Sequence, residues 1–165
     1  MVGPLLRFGY NPVPRGVQPM EWLGTCNSMI RRNSYDQVGG FSGFFLHRCT
    51  MNEDVDLGIK LSRIGKILLC PDARMAHEHA PGGRVSVMIA AEDDLYNRYF
   101  ILRRTVKYGI LHAYGLAVLF LMVETIGPFL GGLYRLRFDG FIPRLAGRIR
   151  ALAAIAVPAL RSRSY

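Results

Sequence analysis

The sequence predicts an α/β fold followed by an apolar, basic helical tail, and three observations carry that prediction. Over the first 84 residues, short β-compatible runs alternate with helical segments that start at a capping residue and end at glycine. All of the net charge of +9 lies beyond residue 97. The longest apolar run, from Tyr108 to Tyr134, sits within that basic part and holds one formal charge, Glu124. A length of 165 residues is one domain's worth, with at most a small appendage. Hydrophobic residues at 50% and aromatic residues at 11% give enough apolar surface for a core, which excludes a disordered chain or a collagen-like repeat. Cys26, Cys49 and Cys70 are odd in number and lack C-x-x-C spacing, so neither a zinc ribbon nor a disulfide framework is expected and a reducing compartment is the simpler reading. The Pro-rich first residues show no long apolar segment, so no secretory signal is expected.

Residues 1–20 are rich in Pro and Gly and read as loop or extended lead-in. Glu21 to Cys26 and Ser28 to Arg31 are short β-compatible stretches. Asn33 is a candidate N-cap for a short helix through Gln37, stopped by Gly39-Gly40. Asn52 is a candidate cap for a second helix whose first turn, Glu53-Asp54-Val55-Asp56, is acidic as the helix dipole favours. Leu57, Leu61 and Ile64 give that helix an apolar face, and Gly65 ends it. Lys66 to Cys70 predicts a buried strand closed by Pro71-Asp72. Val85 to Lys107 predicts a long helix with an acidic middle, Glu92-Asp93-Asp94, and a basic end. The apolar run that follows is expected to break at Gly127-Pro128 and Gly131-Gly132, before a final basic helix from Pro143 to about Val157. No internal repeat is present.

Charge divides the chain unevenly. Residues 1–97 hold ten Lys/Arg and ten Asp/Glu, whereas the last 68 hold eleven Lys/Arg against Glu124 and Asp139. Basic residues beside apolar helix point to an anionic membrane surface. Nucleic acid is not the expected partner, because no reading motif is present and the basic residues are interleaved with apolar runs.

Three motifs occur in order: W-L-G-T-C-N-S-M-I-R-R at 22–32 with G-G-F at 39–41, N-E-D-V-D-L-G-I-K-L at 52–61, and P-D-A-R-M-A-H at 71–77. Together they resemble the C-terminal half of the catalytic domain of family 2 glycosyltransferases, inverting enzymes with the Rossmann-like GT-A fold. The basic segment from Arg98 to Lys107 resembles, more loosely, a helix that often follows it. The resemblance implies transfer of a sugar from a nucleotide-sugar donor to a glycan or lipid-linked acceptor hydroxyl. It implies Asp54 as general base, with Glu53 and Asp56 as supporting neighbours; ordinary helix-start chemistry is the plain alternative for all three. It also implies donor or acceptor contacts from Trp22, Gly24 and Asn27, against simple turn and core packing. Arg31 and Arg32 either approach phosphates or form a solvated face. A divalent cation, Mn²⁺ or Mg²⁺, is implied at the donor diphosphate, with His77 a candidate contact, His79 its neighbour, and the remaining ligands outside this chain. An exposed loop histidine is the alternative for His77.

The strand–helix–strand unit and Asp-x-Asp strand that open such a domain are not found here, so the chain reads as an acceptor-side portion, with a separate donor-binding half as a possible partner. Expected boundaries are 1–84 for the catalytic part, 85–107 for a connecting helix and 108–165 for a membrane-associated tail. The expected location is the cytoplasmic face of a bacterial inner membrane, peripheral or integral. For the tail, Glu124, Gly127-Pro128 and basic flanks favour a broken interfacial or re-entrant hairpin over a spanning helix. Two helices packed on a soluble domain are the third reading. A non-catalytic membrane- or partner-binding module is the alternative function.

Overall fold

The computed structural model describes residues 5–6, 16–20, 22–45, 51–76 and 85–156. Among them the chain is mostly helical: β1 (Gln18–Met20), α1 (Arg32–Gln37), α2 (Glu53–Ser62), β2 (Ile67–Leu69), α3 (Val87–Phe100), α4 (Ile110–Arg135) and α5 (Phe141–Ala156). The expected α/β layering is present only as one two-stranded antiparallel sheet, in which Gln18 faces Leu69 and Met20 faces Ile67. Three-residue strands with no third partner among the described residues cannot build a parallel sheet. The expected burial of β2 is corrected too, since Leu68 is 53% exposed.

The chain divides into two compact units, Met1–Gly43 with Asn52–Arg84, and Phe44–Met51 with Val85–Tyr165. In the first, Leu23, Leu57 and Leu61 form the core, with Ile30, Tyr35, Val38 and Ile67 packed around it. Leu57 and Leu61 are one turn apart on α2 and so share the inward face. Helix α1 starts at Arg32 with Arg31 in the cap position, which places Asn33 inside the helix instead of at its cap. It ends as expected at Gly39-Gly40, where φ is +75° and +61°.

In the second unit α3 makes its broadest contact with α5. Their backbones nearly touch: a Cβ on Gly147 would lie 2.1 Å from the Met88 carbonyl oxygen. This approach buries Ala91, Leu95, Ala151 and Ile155 together with the acidic pair Glu92 and Asp93. The α3 acidic stretch is therefore an internal partner for basic α5, and Arg150 Nε stands 3.3 Å from Glu92. Dividing the charge at the unit boundary adds Arg48, Glu92, Asp93 and Asp94 to the C-terminal set and lowers its excess from +9 to +7. Beyond Phe100 the helix widens into a π turn, Ile101–Thr105.

Helix α4 corrects the expected broken hairpin: it runs unbroken for 26 residues through Pro128. Proline lacks the N–H that would bond the carbonyl four residues back, Glu124. Arg148 of α5 takes that place, donating from Nη1 to the Glu124 oxygen at 3.0 Å and from Nη2 to its carboxylate at 3.4 Å. By length and composition α4 is able to cross a membrane. One face, Ala113, Ala117 and Phe120, is buried, with Arg98 of α3 and Arg148 of α5 over the Phe120 ring. The opposite face, Leu119, Met122, Ile126, Phe129, Leu130 and Leu133, is exposed apolar surface.

Candidate active site

Helix α2 carries the densest group of candidate residues. Asn52 precedes it with φ of +70°, a left-handed conformation that asparagine tolerates, and makes no side-chain cap bond, contrary to the expected cap. A free N–H at the helix start is met instead by Asp54, whose Oδ1 accepts from the Val55 amide at 2.8 Å. Because Val55, Leu57 and Leu61 turn inward, Glu53 and Asp54 are left half-buried at the rim of the helix start.

Burial pushes the Asp54 carboxyl above its ordinary range, against the lowering effect of the Val55 and Asp54 amides. Glu53 is raised as well, chiefly by burial, with an opposing amide bond and a further push from the charge of Asp54. Neither carboxylate forms an ion pair among the described residues. A desolvated carboxylate without a cation holds its proton more tightly than a paired one, which is the property a general base needs.

The 22–27 segment closes on the same helix. A Cβ on Gly58 would lie 2.9 Å from the Leu23 amide nitrogen and 3.2 Å from Trp22 Cα. Gly58 is one turn beyond Asp54, so the face that bears Asp54 is the one on which Trp22 and Leu23 lie. Trp22 is half-buried and not in a strand. Gly24 leads, in extended conformation, into a 3₁₀ turn at Thr25–Asn27. Asn27 is exposed, and its Nδ2 donates to the Ala73 carbonyl at 2.8 Å, which ties this turn to the third motif.

Asp56 differs from its neighbours. It is 0% exposed, accepts from Ser42 Oγ at 2.5 Å, and lies 3.4 Å from Lys60 Nζ. Lys60 also donates to the Gly40 carbonyl at 2.5 Å and to Ser42 Oγ at 3.0 Å. Asp56 therefore anchors the Gly40–Ser42 loop to α2 and is not a rim carboxylate. Ser42, Gly58 and Lys60 were not singled out from sequence; the four-residue spacing of Asp56 and Lys60 was the available signal. Arg32 is engaged in an exposed pair with Asp36 at 2.7 Å, and Arg31 is exposed. His77 and His79 lie outside the described residues. Among the described residues no group of three His, Cys, Asp or Glu is placed to hold a metal ion, so no step is derived through one.

The chain is 35% identical over 65 residues to the N-acetylglucosaminyl-diphospho-decaprenol L-rhamnosyltransferases of two Mycobacterium tuberculosis strains, CDC 1551 / Oshkosh and ATCC 25618 / H37Rv. The match covers 38% of this chain and 20% of each relative, so the chain spans about a fifth of the relatives it matches. It supports a relationship to glycosyltransferases. No protein-family model matches the chain, and no solved structure matches it.

Proposed function

We propose that this chain is the acceptor-side portion of an inverting family 2 glycosyltransferase, with Asp54 as the general base. The observation that carries the reading is Asp54 itself: a half-buried carboxylate at the start of α2, held above its ordinary proton affinity, on the face where the Trp22–Leu23 segment closes. In an inverting transfer this carboxylate takes the acceptor hydroxyl's proton as the oxygen attacks the anomeric carbon from the side opposite the departing nucleoside diphosphate. One new C–O bond forms, the donor's C–O bond breaks, and the proton ends on Asp54. Glu53 is its sequence neighbour, with a carboxyl itself raised by burial and by the charge of Asp54. Trp22, Gly24 and Asn27 would contact the sugar or acceptor beside Asp54, and Asp56 supports α2 through the Gly40–Ser42 loop. Bound Mn²⁺ or Mg²⁺ would neutralise charge at the donor diphosphate, with His77 as this chain's contact and the other ligands outside it.

The acceptor we favour is lipid-linked, because α4 sets an exposed apolar stripe opposite a face covered by the charged helices α3 and α5. That arrangement fits a helix lying in the membrane interface, on the cytoplasmic side where nucleotide sugars are available, better than one surrounded by lipid. The relatives are named for N-acetylglucosaminyl-diphospho-decaprenol, a lipid-linked sugar of this class.

The test is Asp54→Asn in the transferase that contains this chain. The amide cannot take a proton, so turnover should fall by about 10²–10⁴-fold while donor binding is unchanged. A loss below about tenfold removes Asp54 from the role. The exposed face of α4 also suits a non-catalytic membrane module; wild-type transfer activity in the same assay excludes it.

A further inference from the structure

A cavity of about 550 Å³ lies between the C-terminal half of α4 and the first half of α5, lined by residues of the second unit. Two of its cations are already neutralised, Arg148 by Glu124 and Arg137 by Asp139 at 2.9 Å. Arg135 and Arg144 line the same cavity and have no carboxylate partner among the described residues, which leaves an excess of two positive charges. Arg148 Nε and Thr125 Oγ1 lack a hydrogen-bond partner but are enclosed behind the wall and do not open on the cavity. Arg148 is 8% exposed, so water does not compensate its Nε freely. Burial lowers its proton affinity, Glu124 and Asp94 oppose that effect, and Arg144 and Arg98 add repulsion. Two guanidinium groups in excess around one space, Arg135 and Arg144, match an anion that accepts several hydrogen bonds.

We infer that this cavity binds the phosphate headgroup of an anionic membrane lipid. Phosphate offers several acceptor oxygens to the Arg fork, and its one or two negative charges match the excess. The rest of the wall is apolar, including Phe138, Phe141 and Leu145, as the glycerol and upper acyl chain of a lipid require. Position agrees with this occupant. A helix about 10–12 Å across, sunk about 5–10 Å with its apolar stripe downward, leaves its opposite flank at headgroup depth, and the cavity is on that flank. The inference rests on the interfacial reading of α4.

The experiment measures partitioning of the full chain onto phosphatidylcholine vesicles containing phosphatidic acid. It compares the wild type, Arg135→Gln/Arg144→Gln, and Lys66→Gln/Arg74→Gln, which removes two exposed charges elsewhere. The cavity pair should weaken partitioning by about tenfold or more, and the control pair by much less. Equal losses for the two double variants overturn the site while leaving α4 as a membrane element. Absence of vesicle binding by the wild type overturns the interfacial reading and the site with it. Saturable binding of soluble glycerol phosphate at comparable affinity, lost in the cavity pair, overturns the lipid and identifies a free-phosphate site. Circular dichroism of both variants confirms that the helices persist; if the cavity pair unfolds, Arg144→Gln alone carries the same comparison, and unaltered partitioning by it counts against the site.

Discussion

Asp54 and Asp56 stand two residues apart on one helix turn, yet their surroundings assign them opposite work. Asp56 is enclosed and paired, so Asp56→Ala would leave the Lys60 ammonium without its carboxylate; a loss of about 3 kcal/mol in urea unfolding is expected. Asp54 has the opposite sign. Its folded carboxyl binds a proton more tightly than the unfolded one, so its ionisation costs stability. The cost is absent below the ordinary aspartate range, grows as pH rises through that range to the raised value, and is fully present above it. Asp54→Asn should therefore raise the melting temperature at pH 7, with the gain fading toward pH 4; a gain independent of pH would mean that ionisation is not its source. The N-E-D-V-D motif made these positions legible as a group. It could not separate them, because the difference lies in Ser42 and in a loop folded back from 14 residues earlier.

At the level of elements, the start of α2 was legible from the position of Asn52, the acidic first turn and the Leu57–Leu61 spacing, but Asn52 makes no cap bond and Ile64, expected on the apolar face, lies past the helix end and is 42% exposed. The position of β2 was legible as well, but its exposure was not, because β1 is its one strand partner among the described residues. Helix α4 was misread for an identifiable reason. Pro128 ordinarily marks a break, and the group that offsets it comes from α5, 24 residues on. Contact between α3 and α5 was equally hidden, since glycine in a helix does not announce which backbone will approach it. Gly147→Ala tests that contact: a methyl group directed at the Met88 carbonyl must push the helices apart, and a destabilisation of about 3 kcal/mol or more is expected. A change below about 0.5 kcal/mol would show that the helices are not so close.

For the whole chain, the charge cut at residue 97 proved a poor guide to its parts, because acidic α3 belongs with basic α5. A truncation at Lys107 would accordingly bare the buried side of α3, and should aggregate instead of giving a soluble catalytic fragment. Membrane attachment is better tested on the intact chain. It should sediment with anionic vesicles at low salt, persist in part at high salt through the apolar stripe of α4, and be released by alkaline carbonate. Resistance to carbonate would replace the interfacial helix with a spanning one. The bond from Arg148 to the Glu124 carbonyl also bears on the order of events during synthesis. Translation at about 5–20 residues per second separates those two residues by about 1–5 s, and throughout that interval the nascent helix carries an acceptor whose partner has not been made. Helix α4 is thus completed from its C-terminal side, by chain that follows it off the ribosome, and its final form is acquired only as a pair with α5.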